Sequence, residues 1–279
     1  TEFTVFNINF FEASESFTQE FQLSNTTPDG LDWITGLFYL KEDGSGGIDL
    51  LLDGLATEIT EENVTDAYAA FGQMTYDVNP KLRATFGLRY SYESKNYGYV
   101  TNVNGGLVDT GTPDDSWSAW TPRFALDYDL ADDIMIYASA TSGFKSGGFQ
   151  IGDGTSFEQE DLWSYETGIK STLLDNRLRA NVGLFLYDYT NLQVVEYDDD
   201  SGISTTTNAG EATIQGIEGE FVARVIDNFD VNLVVTYTNS EFDYFPQGEG
   251  VDFAGNELPN TPNLTYSLGA QYTTEIANV

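Results

Sequence analysis

Apolar and polar residues alternate along most of this chain. Between Lys81 and Glu93, Leu82, Ala84, Phe86, Leu88, Tyr90 and Tyr92 share one parity, and Arg83, Thr85, Gly87, Arg89, Ser91 and Glu93 take the other. Successive side chains of an extended strand point to opposite faces, so this pattern makes a ribbon with one apolar and one polar side. It recurs where Pro122, Phe124, Leu126, Tyr128 and Leu130 oppose Arg123, Ala125, Asp127 and Asp129, and where Leu178, Ala180, Val182, Leu184 and Leu186 oppose Arg179, Asn181 and Gly183. It recurs again around Ile217–Val225, Val231–Tyr237 and Leu264–Tyr272. The alternation predicts about twelve strands, near 3–11, 16–24, 31–41, 65–78, 81–93, 119–130, 134–144, 162–173, 177–197, 204–226, 230–243 and 262–273.

The connections fall into two kinds. Val78-Asn79-Pro80, Ala131-Asp132-Asp133, Leu174-Asp175-Asn176 and Asp227-Asn228-Phe229 are tight turns rich in Asn and Asp, residues that tolerate turn conformations. Long connections are expected near 42–64, 94–118, 145–161, 198–204 and 244–261. Short and long alternate, as in a transmembrane barrel with short periplasmic turns and long extracellular loops. The predicted fold is therefore all-β: an antiparallel up-and-down transmembrane β-barrel region occupying residues 1–279 as a single unit.

Charge placement bears on what touches the apolar side. Arg83, Arg89, Arg123, Lys170, Arg177, Arg179 and Arg224 all take the parity opposite to the apolar face. Random placement on two faces gives such unanimity about once in 64 trials. A cation facing hydrocarbon at mid-depth costs about 2–4 kcal/mol, so these seven, with Glu166, Glu218 and Glu220, are expected to face a lumen. A soluble barrel, wet outside and dry inside, is the alternative, and it has to bury many Tyr hydroxyls.

Composition fits the membrane reading. There are 17 Tyr and 19 Phe beside a hydrophobic fraction of only 41%, as aromatic girdles around a polar lumen require. No run approaches the roughly 20 apolar residues of a spanning helix. No signal peptide is visible, and Thr1-Glu2-Phe3-Thr4-Val5 already alternates as strand. With neither Cys nor His, disulfides, thiol nucleophiles and His-based acid–base or zinc chemistry are excluded. A net charge of -34 repels nucleic acid. It suits either a solvated acidic surface or acidic loops bridged by divalent cations to anionic lipopolysaccharide.

Several segments resemble the C-terminal barrel of TonB-dependent outer-membrane receptors. Tyr68-Ala69-Ala70-Phe71-Gly72-Gln73 leads through Tyr76-Asp77 to Gly87-Leu88-Arg89-Tyr90, a hairpin similar to the family's. Thr121-Pro122-Arg123-Phe124, Tyr137-Ala138-Ser139 and Gly143-Phe144-Lys145-Ser146-Gly147-Gly148-Phe149 follow. Then come Ser164-Tyr165-Glu166 with Gly168 and Lys170, Asn208-Ala209-Gly210 with Gly216-Ile217-Glu218-Gly219-Glu220, and Leu258-Pro259-Asn260-Thr261-Pro262. The blocks lie in family order over roughly residues 16–273 and resemble the siderophore-receptor-like branch.

The resemblance implies a cell outer-membrane location and about half of a barrel of about 22 strands, within the size range of such proteins. It implies uptake of a scarce solute such as a ferric siderophore. The implied partners are outer-membrane lipid, lipopolysaccharide, a small-molecule ligand and the TonB complex, the last through a plug domain absent from this chain. A passive porin-like channel and a structural or adhesive surface protein with calcium-bridged loops stay open as alternatives. No enzyme chemistry is in view.

Aromatics in long connections or at strand ends, Tyr97, Tyr99, Trp117, Phe149, Tyr244 and Phe245, are candidates for ligand contact, with interfacial anchoring as the alternative. No cofactor is implied beyond calcium held loosely by Asp198, Asp199 and Asp200, where a solvated loop tip is the competing reading.

Overall fold

A computed structural model describes residues 6–26, 30–52, 54–197, 204–208, 210–247 and 251–274. The chain order is β1 (Phe6–Thr26), β2 (Leu31–Leu52), β3 (Leu55–Asn79), β4 (Leu82–Val103), β5 (Gly106–Gly111), β6 (Asp114–Ala131), β7 (Ile134–Lys145), β8 (Gly148–Phe149) and β9 (Ser156–Phe157). It continues with β10 (Glu160–Leu173), β11 (Leu178–Thr190), β12 (Gln193–Tyr197), β13 (Ser204–Asn208), β14 (Glu211–Ile226), β15 (Phe229–Tyr244), β16 (Pro246–Gln247), β17 (Val251–Asp252) and β18 (Leu264–Tyr272). One sheet holds twelve strands, in the path β1-β2-β3-β4-β6-β7-β10-β11-β14-β15-β18, with β5 added beside β4. Every pairing along the path is antiparallel and joins consecutive path strands, as in an up-and-down meander.

Three expected boundaries move. The predicted strands 3–11 and 16–24 form one continuous strand, β1, whose ladder to β2 runs unbroken through Ala13, Ser14 and Glu15. That stretch breaks the hydrophobic alternation but holds no Gly, Pro or Asn to turn the chain. The expected loop 42–64 is β-ladder over 42–52 and 55–64: β2 and β3 stay paired from Glu42↔Thr65 to Leu52↔Leu55. Much of 94–118 is likewise strand, in β4, β5 and β6. Sequence alternation locates the lipid-facing part of each strand and misses the extension, because both faces of the extension meet a polar phase or protein.

Breaks within the other predicted strands have local causes. Asn191, at φ 53°, separates β11 from β12, and Gly210, at φ 102°, precedes β14. Both angles lie in the left-handed region, which ends a ladder. The β4–β5 turn uses Asn104-Gly105 with φ 51° and 77°, the residue pair best suited to a tight hairpin.

Short connections gather at one end of the sheet, at 80–81, 132–133, 174–177 and 227–228, where β1 also ends and β2 begins. The opposite end carries the β2–β3 extension, the connections 104–113 and 146–159, and the described residues between β11 and β14 and between β15 and β18. The alternation between ends is complete along the path.

The register extends the polar-face argument across strands. Directly opposed residues of a ladder share a face. Arg83 opposes Asp127, Arg123 opposes Gly87 and Thr141, Thr141 opposes Ser164, Lys170 opposes Asn181, Asn181 opposes Glu220, and Arg224 opposes Asp230. The basic and acidic wall residues therefore line one side of the whole sheet. Arg177 is the exception in placement: it lies in the turn before β11.

The other side carries exposed Leu, Phe, Tyr and Trp across β4, β6, β11, β15 and β18. Phe124, at 49% exposure, packs on Phe86 across the strand pair with ring centroids 5.3 Å apart, and Tyr90 meets Trp120 at 4.8 Å. Such cross-strand aromatic pairs contribute about 0.5–1.5 kcal/mol each. No described side chain combines large size with full burial, so the sheet has no interior core of its own. Its buried hydrophobics cluster at the long-connection end, as Ile48, Leu50 and Ile59 and as Ala212, Phe242 and Phe245.

Candidate ligand-facing wall and mouth

The polar face of β4, β6, β7, β10, β11 and β14 carries a concavity of about 760 Å³. Arg123, Asp127, Glu166, Lys170, Glu218 and Glu220 line it, interleaved with Tyr137 and small hydroxyl side chains. Three ion pairs stitch neighbouring strands on this wall: Arg83–Asp127 at 3.9 Å, Arg179–Glu220 at 3.0 Å and Arg224–Asp230 at 3.2 Å. All six side chains are substantially exposed, so each pair contributes at most about 1 kcal/mol.

The remaining wall charges are held by other means. The Arg89 guanidinium sits 5.4 and 5.6 Å from the ring centroids of Phe38 and Phe71 and donates through Nε to Ser91 Oγ at 3.0 Å. The Lys170 ammonium lies 5.1 Å from the Tyr137 ring centroid. Arg123 donates to Thr141 Oγ1 at 3.4 Å, and Glu166 accepts from Ser164 Oγ at 3.1 Å. Aromatic faces hold a cation in place without neutralising it, so these groups keep their charge toward the lumen. Arg177 acts at the turn instead. Its guanidinium donates to the carbonyls of Arg224 and Val225 at 3.2 and 3.0 Å, tying the β10–β11 turn to the end of β14.

At the long-connection end, the candidate aromatics divide. Tyr97 and Trp117 are each 5% exposed, and Tyr99 is also buried. Phe149 stacks on Tyr97 with centroids 5.3 Å apart and planes 10° from parallel, and meets Trp117 edge-on at 6.2 Å. Tyr97 donates to Glu61 Oε2 at 2.6 Å, and Tyr99 donates to Asp109 Oδ2 at 3.2 Å. Burial, reinforced by these carboxylates, raises both phenol pKa values above the usual 10.0. Phe245 is buried against Phe242 and Phe253, at 5.0 and 5.5 Å, whereas Tyr244 is exposed. Four of the six expected contact residues, Tyr97, Tyr99, Trp117 and Phe149, thus assemble into one group, and their ring faces are covered by protein. Asp198, Asp199 and Asp200 lie outside the described residues. Among the described residues, no group of three or more acidic side chains is placed to hold a metal.

Sequence reasoning misses several residues of this region. Lys95 donates to Ser146 Oγ at 3.0 Å and Gly147 O at 2.7 Å, pairs with Glu93 at 3.1 Å, and lies 5.5 Å from the Trp117 ring centroid. Gln150 and Thr206 bond reciprocally, through the Gln150 amide and the Thr206 backbone. Phe38 and Phe71 are visible as apolar residues on the polar parity of their strands, a mismatch that marks a contact within the lumen wall.

Comparisons with known proteins agree with this geometry. The family model described as TonB dependent receptor-like, beta-barrel matches residues 2–278. The chain is 27% identical over 207 residues to the metal-pseudopaline receptor CntO of Pseudomonas aeruginosa strain UCBPP-PA14, covering 74% of this chain and 28% of the relative. It is 28% identical over 178 residues to the ferric-pyoverdine M114 receptor PbuA of Pseudomonas sp. strain M114, covering 62% and 21%. The chain thus spans less than a third of these curated relatives. In fold it resembles the ferric yersiniabactin uptake receptor FyuA of Yersinia pestis, with TM-score 0.79 and 19% identity over 95% of this chain and 40% of that one. The copper transporter OprC gives TM-score 0.72 and 14% identity over 95% and 42%.

Proposed function

The chain belongs to the TonB-dependent receptor-like β-barrel family, receptors of the outer membrane rather than enzymes, and from that premise we propose that its parent protein imports a metal chelate across that membrane. The observation that carries the reading is the match of the family model over nearly the whole chain, on a sheet whose charged wall and covered mouth lie on the same polar face. The apolar face sits in lipid, with lipopolysaccharide around the outer rim. The free edges of β1 and β18 pair with further strands of the parent, since unpaired backbone does not persist in hydrocarbon. The ligand class, a ferric or other metal siderophore, is supported by what the relatives are named for. Energy comes from TonB through a plug that fills the lumen against the wall of Arg123, Glu166, Lys170 and Glu218.

The test is uptake of a radiolabelled iron chelate by iron-starved cells with the gene deleted and restored. Uptake restored by the gene and abolished without TonB supports the proposal. Uptake that persists without TonB and in the presence of a protonophore makes the protein a passive channel instead.

A further inference from the structure

The apolar face is not evenly filled. On it Phe86, Phe124 and Ala140 are opposed in one row, and Ala84, Leu126 and Ala138 are opposed in the next row toward the short turns. Tyr76 stands beside Ala84 in that second row. Alanine does not fill the width that Leu or Phe takes, and the two rows leave a concavity of about 730 Å³ between them. Its rim stands clear of the backbone: Tyr76, Phe124 and Leu126 are 50%, 49% and 53% exposed. The second row continues through Thr167 to Leu184, at the same depth.

Depth and charge decide what reaches this concavity. Phe124 lies midway between the girdle residues Trp120 and Tyr128 on β6, and Phe86 is opposed to it. Lys81, in the β3–β4 turn, precedes Phe86 by five residues. At about 3.4 Å per residue and a tilt near 40°, that is about 13 Å along the membrane normal, half the height of an apolar band of about 25 Å. Lys81 therefore stands at the level of the phospholipid phosphates in the leaflet that the short turns face. Its backbone is fixed: its N–H donates to Asn79 Oδ1 at 2.9 Å, and its carbonyl accepts from Asp129 N at 2.8 Å. Its side chain is exposed and forms no ion pair among the described residues. It leaves a turn rather than a strand, and its long stem carries the ammonium to the outer face. Arg83, by contrast, is committed to Asp127 on the lumen side.

We propose that this concavity binds one acyl chain of a phospholipid of the periplasmic leaflet, whose phosphate rests on Lys81. A chain seated between the two rows touches more protein than one lying against a filled wall, and dispersion attraction grows with each contact. The ammonium supplies a point charge for the phosphate. Lipopolysaccharide carries its phosphates at the opposite rim, where Lys41 is already paired with Asp43 at 3.3 Å. A second copy would set two chains of net charge -34 side by side. The inference rests on the hydrocarbon placement of the face and not on what the parent protein imports.

The experiment releases the full-length receptor from outer membranes in mild detergent, adds palmitoyl-oleoyl phosphatidylglycerol as the probe, and weighs the intact complexes by native mass spectrometry. The receptor retains phospholipid. Ala138→Phe, which fills the concavity, and Lys81→Gln, which removes the charge, each lower the retained fraction at least threefold. Lys81→Arg keeps it, and so does Leu184→Phe, which adds the same ring in the same row away from the concavity. Retention unchanged in either Ala138→Phe or Lys81→Gln overturns the proposal, as does an equal loss in Leu184→Phe. Lipopolysaccharide or a second receptor copy displaced by Ala138→Phe, in place of phospholipid, overturns it as well. Lys81 lies outside the strands, so Lys81→Gln keeps the test decisive where Ala138→Phe fails to fold.

Discussion

Placing an arginine on the apolar face measures the solvent that face meets. On β6, Trp120 and Tyr128 share the outward side and stand eight residues apart. At about 3.4 Å per residue and a tilt near 40°, they are about 21 Å apart along the membrane normal. That matches an apolar band of about 25 Å bounded by aromatic girdles, and puts Phe124 at its midpoint. Phe124→Leu removes the ring pair with Phe86 and costs about 0.5–1.5 kcal/mol. Phe124→Arg loses the same pair and adds about 2–4 kcal/mol for a cation at mid-depth, while Leu130→Arg, beyond Tyr128, costs about 0–1 kcal/mol. The mid-depth penalty corresponds to about a 30- to 700-fold change in the folding equilibrium. Reversible guanidinium unfolding of the full-length receptor in lipid vesicles reads all three variants on one scale. If Phe124→Arg costs no more than Phe124→Leu, or if the two arginines cost the same at both depths, the face is not in hydrocarbon.

Three further outcomes follow from the described geometry. Glu220→Gln, which breaks an ion pair with Arg179 between two half-exposed side chains, changes unfolding free energy by less than about 1 kcal/mol; a larger loss means that the wall is much drier than the structure shows. The Tyr97 phenol is held protonated by burial and by Glu61, so its contribution to the packing of the connection 146–159, through Phe149, is complete below the ordinary value of 10.0 and is lost as pH rises through it toward the raised folded value. Cleavage within 146–159 by an alkaline-stable protease, scaled to an unfolded control substrate, should therefore stay flat to about pH 10 and climb above it, and cleavage that climbs at neutral pH contradicts the assignment. Phe242→Ala opens the cluster of Ala212, Phe242 and Phe245, so limited proteolysis should cut at 253–258 while the barrel keeps its resistance to heat; an uncut loop means that the cluster does not anchor it.

Alternation makes the membrane part of the sheet legible, because each strand there meets lipid on one side and a polar lumen on the other. The parity of Arg83, Arg123, Lys170 and Arg224 can be assigned strand by strand, and the register places them all on one face. Beyond the girdles that contrast between the two sides vanishes. The chain at 42–64 therefore reads as loop, although its backbone pairing is complete. The aromatic candidates are found by type, since Tyr97, Trp117 and Phe149 stand out in long connections. Their mutual burial is not legible, because it depends on 146–159 folding back across β6, a contact between Tyr97 and Phe149 on different strands far apart in the chain. The one local trace is Gly147-Gly148, whose missing side chains make room for Trp117 and Phe157.

The central claim, that hydrocarbon wets the Leu-, Phe- and Trp-bearing side of the sheet, is tested most directly by nitroxide scanning of residues 122–128 in the reconstituted receptor. The account predicts that collisions with dissolved oxygen, which concentrates in lipid, peak at 122, 124, 126 and 128 and fall at 123, 125 and 127. The inverse pattern, or contact of the even positions with a water-soluble nickel chelate, would contradict it.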